Sequence, residues 1–158
     1  MVHRLIKIGC CGFPVSRAIY FDTFKIVELQ QTFYQPPEIS LAKKWRNERP
    51  PDFEYTLKAW QLITHGPKSP TYKKLKIKIP EAEEKNYGSF KPTDEVLSAR
   101  ERTREIAEIL SSRIIVFQCP PSFEPTKENK SNLKKFFSSI ERGRHIFGWE
   151  PRGKWNEK

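Results

Sequence analysis

The sequence predicts an α/β fold, a parallel sheet assembled from β-α-β units, on three observations. Five short stretches rich in β-branched and aromatic residues alternate with segments of helical period. One of them, Ile114 to Cys119 (IIVFQC), is apolar almost without interruption, the pattern of a parallel strand covered on both faces. Polar residues interrupt the apolar stretches at their carboxyl ends, where parallel α/β folds place ligand sites. The 158 residues suffice for one domain, 1–158, with a real core.

In chain order, Ile6 to Phe13 (IKIGCCGF) predicts a first strand running into a glycine turn, and 16–23 a short helical turn. Ile26 to Tyr34 (IVELQQTFY) predicts the second strand, broken by Pro36-Pro37. Glu38 to Glu48 predicts a helix with Ile39, Ala42 and Trp45 on one face, stopped by Pro50-Pro51. Phe53 to Trp60 alternates into a third strand, with Tyr55 and Leu57 in the core. Residues 66–92 carry four prolines and two glycines and predict an irregular basic insertion. Thr93 is placed to cap a helix running to about Ser112, with Val96, Ala99, Thr103, Ile106 and Leu110 as its buried stripe and Arg104 pairing with Glu108. Ile114 to Cys119 is the fourth strand, 128–140 a helix burying Leu133, Phe136, Phe137 and Ile140, and His145 to Glu150 the fifth strand. An open sheet and part of a barrel both satisfy this order.

Lys and Arg total 29 against 19 Asp and Glu, a net charge of +10, which favours anionic partners: nucleic acid, phosphorylated metabolites or an acidic protein. The alternative is a solvated lysine-rich surface. No apolar run approaches the roughly 20 residues that cross a bilayer, and MVHRLIKIG lacks a signal peptide's layout, so no membrane association is expected and a cytoplasmic location is. Cys10, Cys11 and Cys119 have neither the count nor the spacing of a disulfide framework or zinc ribbon, and are expected as small buried side chains.

The strand ends bring Gln30 and Tyr34, Lys58 and His65, Gln118, and Glu150 with Arg152 toward one rim. A lysine or arginine there holds an anion, and a histidine titrating near neutrality moves protons. If Val27 and Leu29 face the helices, Glu28 faces the other side and needs Lys58 or Arg152 as partner. Such a pair has a purely structural reading as well. Phosphate-binding glycine motifs, H-E-x-x-H and G-x-S-x-G are absent, so no cofactor is identified. With three histidines, one of them His3, a multi-histidine metal centre is short of ligands; a carboxylate site for a divalent cation on Glu28 or Glu150 stays open. Lys68, Lys73, Lys74, Lys76 and Lys78, with Tyr72 among them and no acidic residue from 66 to 80, form a candidate nucleic-acid surface.

The segments KIGCCGF, VELQQTFYQPP, FEYTLKAWQLITH, VFQCPPSF and WEPRGKW resemble, in order, the landmarks of the YecE-like family, the domain of unknown function seventy-two. The resemblance maps that family's polar landmarks onto Glu28, Thr32, Tyr34, Lys58, His65, Gln118, Glu150, Arg152 and Trp155. Gln30 stands where the family has asparagine, Pro151 separates Glu150 from Arg152, and Cys11-Gly12-Phe13 replaces serine-glycine-tryptophan. It implies a TIM-barrel-like fold with a pocket at the carboxyl ends of the strands, and no particular activity. A complete barrel takes about 250 residues, so five of eight strands are expected: the chain is a fragment of a longer barrel, or another chain or a second copy completes it. Three readings follow: an enzyme acting on a phosphorylated or otherwise anionic substrate, with a phosphoester hydrolase favoured over an isomerase; a non-catalytic nucleic-acid-binding protein using Lys68–Lys78; and a scaffold half docking on a partner chain. In the first, His65 and Glu28 or Glu150 transfer protons, Lys58 and Arg152 hold the anion, and Gln30 and Gln118 orient it.

Overall fold

The computed structural model describes residues 6–155; His3 lies outside them. Five strands, β1 (Cys10–Cys11), β2 (Ile26–Leu29), β3 (Glu54–Lys58), β4 (Ile114–Gln118) and β5 (Ile146–Glu150), form one sheet in the order β1-β2-β3-β4-β5. Every pairing is parallel. The helices between them are α1 (Arg17–Thr23), α2 (Gln31–Tyr34), α3 (Ile39–Glu48), α4 (Gln61–Thr64), α5 (Asp94–Ile109) and α6 (Lys127–Ser139). Strands that follow one another in space as in sequence, joined by right-handed crossovers, put all connecting helices on one face. The arrangement is a singly wound arc of the TIM-barrel type, not a doubly wound sheet.

That topology divides each strand's residues by parity. Val27, Leu29, Tyr55, Leu57, Ile115 and Phe117 face the helices and are buried among Tyr20, Ala42, Trp45, Ile106 and Phe136. The register aligns Glu28 with Thr56, Lys58 with Val116 and Gln118 with Glu150 on the other face. Helix α5 buries the stripe Val96, Ala99, Thr103, Ile106 and Leu110, and Arg104 donates to Glu108 at 2.6 Å. No further strand borders β1 or β5 among the described residues, and Ile6, Ile8 and Trp149 are exposed along those edges.

Several elements depart from expectation. β1 is two residues long, because only Cys10 and Cys11 find partners in the four-residue β2. β2 ends at Leu29: Gln31–Tyr34 turns into a helix, and Thr32 Oγ1 donates to the Lys58 carbonyl at 2.8 Å. Thr93 does not cap α5 with its side chain; its hydroxyl donates to the Asn86 carbonyl at 2.7 Å. Cys119 is buried, but Cys11 is exposed, because its parity points it to the face without helices.

Residues 66–92 are not an irregular loop. Two 3-10 turns, Pro70–Lys74 and Glu81–Asn86, order them into a strap across the carboxyl ends of the strands. Gly88, Ser89 and Phe90 take φ of 76°, 53° and 53°, the left-handed region. Two non-glycine residues there are costly. The cost is offset by three backbone hydrogen bonds, from Gly88 to Leu62, Ser89 to Thr64 and Phe90 to Ile63, at 2.9, 3.2 and 2.9 Å. A Cβ on Gly88 would lie 2.5 Å from the His65 carbonyl, so only glycine permits the approach. The Phe90 ring is then fully buried against Phe117, Phe123, Phe136 and Phe137.

Phe90→Ala therefore removes the anchor of the strap. It should lower stability by about 3–5 kcal/mol in urea titrations and open the lysines at 68–78 to trypsin under native conditions. A loss below about 1 kcal/mol with an unchanged digestion pattern would mean that the strap is held by something else.

Candidate functional site

The uncovered face of the sheet carries a cluster of charge. Lys58, buried to 6% exposure at the end of β3, points its ammonium at Glu28 Oε1 (3.4 Å), Glu150 Oε2 (3.9 Å) and the amide oxygen of Gln118. Glu28 Oε1 also accepts from Gln30 Nε2 at 2.7 Å and Cys11 Sγ at 3.4 Å. Glu150 Oε1 accepts from Arg152 Nε and Nη2, both at 2.9 Å. Side chains from all five strands, with Gln30 and Arg152 just past β2 and β5, thus form one connected network. A buried ammonium demands this, since an uncompensated charge there costs several kcal/mol.

Beside the cluster, at the carboxyl ends of the strands, lies a cavity of about 1070 Å³. Gln30, Gln118 and Arg152 belong to its wall, so the cluster meets the cavity through them; Lys58, Glu28 and Glu150 lie behind. Phe33, Tyr34 and His65 form one side, and the strap supplies Lys68 to Thr71, Glu81, Glu84, Lys85, Tyr87 and Lys91. A second cavity, about 950 Å³, sits between α5 and the α6–β5 connection. Its Arg104 is paired with Glu101 and Glu108, and Arg100 with Glu101, which is the wiring of a structural surface.

His65 is buried, its Nδ1 2.8 Å from Thr64 Oγ1 and its ring edge-on to Phe33 at 4.9 Å. Burial, aided by the nearby Arg152 guanidinium, lowers its pKa to about 4. The imidazole is therefore neutral at physiological pH, a hydrogen-bonding group and a weaker base than an ordinary histidine. Burial also raises the Cys119 thiol to about 12, and Glu28's hydrogen bond raises that of Cys11, so neither is a reactive thiolate.

Of the residues singled out in the sequence, Glu28, Gln30, Lys58, Gln118, Glu150 and Arg152 come together, and His65 and Tyr34 line the adjoining cavity. Trp155 does not join them. It stacks on Phe123 at 5.4 Å and donates to the Phe123 carbonyl at 2.6 Å, a packing role. Tyr72 is turned inward: its hydroxyl donates to the His65 carbonyl at 2.7 Å and its ring packs on the core, so it is no platform for a base. Lys68, Lys73, Lys74, Lys76 and Lys78 are exposed along the strap. Sequence reasoning missed Cys11 beside Glu28 and the strap as cavity wall; the signal for the second was its position directly after a strand's carboxyl end. No three His, Cys, Asp or Glu side chains are grouped to hold a metal ion among the described residues. Nor is any helix among them long and apolar enough to cross a membrane.

The lowered His65 pKa has a sign. The unfolded chain, with an ordinary histidine pKa of 6.5, binds a proton between pH 6.5 and about 4 that the folded chain refuses. Stability falls as pH drops through that window, by at most about 3 kcal/mol from this group. Denaturant titrations at pH 7.5 and 4.5 should show a smaller acid loss in His65→Gln than in the natural protein. Equal losses would show that the ring is not held neutral by its surroundings.

Comparison with known proteins accords with this architecture. The family model described as "Protein of unknown function DUF72" matches residues 16–154. No curated protein matches the sequence. A crystal structure of a DUF72 family protein from Enterococcus faecalis V583 superposes with a TM-score of 0.64 at 21% identity, over 95% of this chain and 53% of that one. A second crystal structure of that protein, at lower resolution, gives 0.53 at 18% identity, over 84% and 42%. The chain thus spans about half the length of the solved structures it matches, and at this identity the likeness is one of fold, the TIM-barrel-like arrangement. By its sequence match over residues 16–154, the chain belongs to the DUF72 family.

Proposed function

We propose that the cavity at the carboxyl ends of the strands binds a phosphorylated or otherwise anionic substrate and that the adjoining charge cluster hydrolyses a phosphoester in it. The observation that carries this reading is the continuity of cavity and cluster: Gln30, Gln118 and Arg152 are at once cavity wall and hydrogen-bond partners of Glu28, Lys58 and Glu150. The walls add Lys68, Lys85 and Lys91, none within 4.0 Å of a carboxylate among the described residues.

Roles follow from position. Arg152 presents a planar fork of donors to an anion, which suits phosphate oxygens. Glu150, the more exposed of the two clustered carboxylates and the partner of Arg152 in the cavity wall, takes a proton from water while the water oxygen bonds to phosphorus and the ester P–O bond breaks. The leaving oxygen departs as an alcohol on receiving, through solvent, the proton that Glu150 took up. Lys58 is a positioning residue, since its ammonium is already shared among Glu28, Glu150 and Gln118. Gln118, held by Lys58, has its amide nitrogen left to donate. His65 serves as a neutral hydrogen-bonding wall. A divalent cation, if used, would draw on Glu150 before Glu28, because Glu28 Oε1 already accepts from three side chains.

Hydrolysis of p-nitrophenyl phosphate and its bis-ester, with and without added Mg²⁺ or Mn²⁺, tests the reading. Glu150→Gln should lower kcat by about 10²–10⁴-fold, and Arg152→Ala should act mainly on KM, with circular dichroism unchanged. Lys58→Met should shift the pH profile of kcat rather than the KM. Turnover indifferent to all three substitutions would remove these assignments, and no turnover of any phosphoester by the folded protein would remove hydrolysis.

A further inference from the structure

Resting on that reading of the cavity, we infer that its anionic substrate is a single strand of polynucleotide, whose backbone leaves the cavity along the strap over Lys68, Lys73, Lys74, Lys76 and Lys78. Lys68 belongs to both features, lining the cavity and opening the lysine series. All five lysines are exposed, and none lies within 4.0 Å of a carboxylate among the described residues. Some cations elsewhere are paired, Lys7 with Glu54, Arg17 with Glu48, Lys44 with Glu48, and Arg102 and Arg104 with the acids of α5, whereas Lys127, Lys130 and Lys134 on α6 are, among the described residues, as unpaired as the strap lysines and so serve as their control. Five like charges on one short strap repel one another, and a polyanion with regularly spaced phosphates relieves that repulsion while releasing its counterions.

The strap is also a fixed platform. Ser69 caps the turn Pro70–Lys74, Tyr72 is tied to the His65 carbonyl, and the Lys76 backbone donates to Gln35 Oε1 at 3.2 Å. Lysines carried on a pinned backbone lose less freedom on binding than those of a solvated loop. Glu81 and Glu84 repel a backbone on their part of the wall, and Lys68 is the wall lysine from which the Lys73–Lys78 series continues along the strap. The Lys74 ammonium lies 4.1 Å from the centre of the Tyr34 ring, at the cavity's edge, so a base against the ring's other face would have a cation beside its phosphate. Phe33, Tyr34, Tyr87 and the uncharged His65 make a wall suited to an unpaired base. A duplex, whose bases are stacked inside, offers no base to that wall.

Fluorescence anisotropy of a fluorescein-labelled oligothymidylate across a salt series reads this directly. The natural chain should bind at 50 mM salt, and Lys73→Glu/Lys74→Glu/Lys76→Glu should weaken it more than about tenfold and flatten the log–log salt slope by about 0.7 per lost phosphate contact. A charge-matched control on α6, Lys127→Glu/Lys130→Glu/Lys134→Glu, should stay within about threefold of the natural chain. Unlabelled duplex should compete less well than single strand. No binding at 50 mM salt, equal losses in the strap and α6 variants, or stronger competition by duplex would each overturn the inference. Hydrolysis of small phosphoesters without oligonucleotide binding leaves the cavity reading standing and removes this one. Strap-dependent binding without hydrolysis supports this one and removes the catalytic role.

Discussion

An ammonium group buried behind the carboxyl ends of the strands constrains everything around it. Lys58 is held in place by β3 on one side and by the Thr32 hydroxyl on its carbonyl, so its charge cannot swing out to water without unmaking the strand end. The fold must bring compensation to it. Glu28 comes from one neighbouring strand, Gln118 from the other and Glu150 from the strand beyond. This is possible only where consecutive strands are adjacent, parallel and in the register observed, since a one-residue slip would turn each of these side chains to the helix layer. Charge compensation and sheet register therefore specify each other.

The strap extends the same logic to the cavity. Its left-handed run at Gly88–Phe90 is unfavourable in isolation and persists because the carbonyls of Leu62, Ile63 and Thr64 and the pocket for the Phe90 ring over-determine it. The α4 turn that supplies those carbonyls also carries His65, whose own carbonyl receives the Tyr72 hydroxyl. One short turn thus fixes both the histidine and the wall opposite. Burial of the imidazole is the consequence, and its neutrality follows from burial more than from any partner.

Much of this was legible in the sequence, for physical reasons that differ by element. Helices α5 and α6 and strands β3 and β4 announce themselves because a single buried face or a doubly covered strand leaves a strong period. The opposing parity of Glu28 with Val27 and Leu29 was readable for the same reason, and so was its need for a cationic partner. β1 was overread because pairing depends on the partner strand's length, which local composition does not encode. The strap was illegible because its order comes from long-range hydrogen bonds to α4 and from one buried ring, and nothing periodic marks either. Tyr72 and Trp155 look like ligand-facing aromatics in sequence; which way an aromatic turns is decided by where its polar atom finds an acceptor, here the carbonyls of His65 and Phe123.

The cluster around Lys58 is difficult to justify as a stability device. Replacing a buried ion pair by apolar residues of similar volume is often neutral or stabilising, and the neighbouring lanes of the same face show that apolar residues fit, with Val116 directly beside Lys58 and Ile114 beside Thr56. What a methionine at that position would not do is hold the Gln118 amide oxygen, offset the like charges of Glu28 and Glu150, and leave Arg152 anchored on a carboxylate with its remaining donors at the cavity wall. Each of those consequences appears at the cavity rather than in the core. That concentration of consequences at one wall is the physical support for proposing Lys58 as the residue that positions Gln118 and the carboxylates beside it.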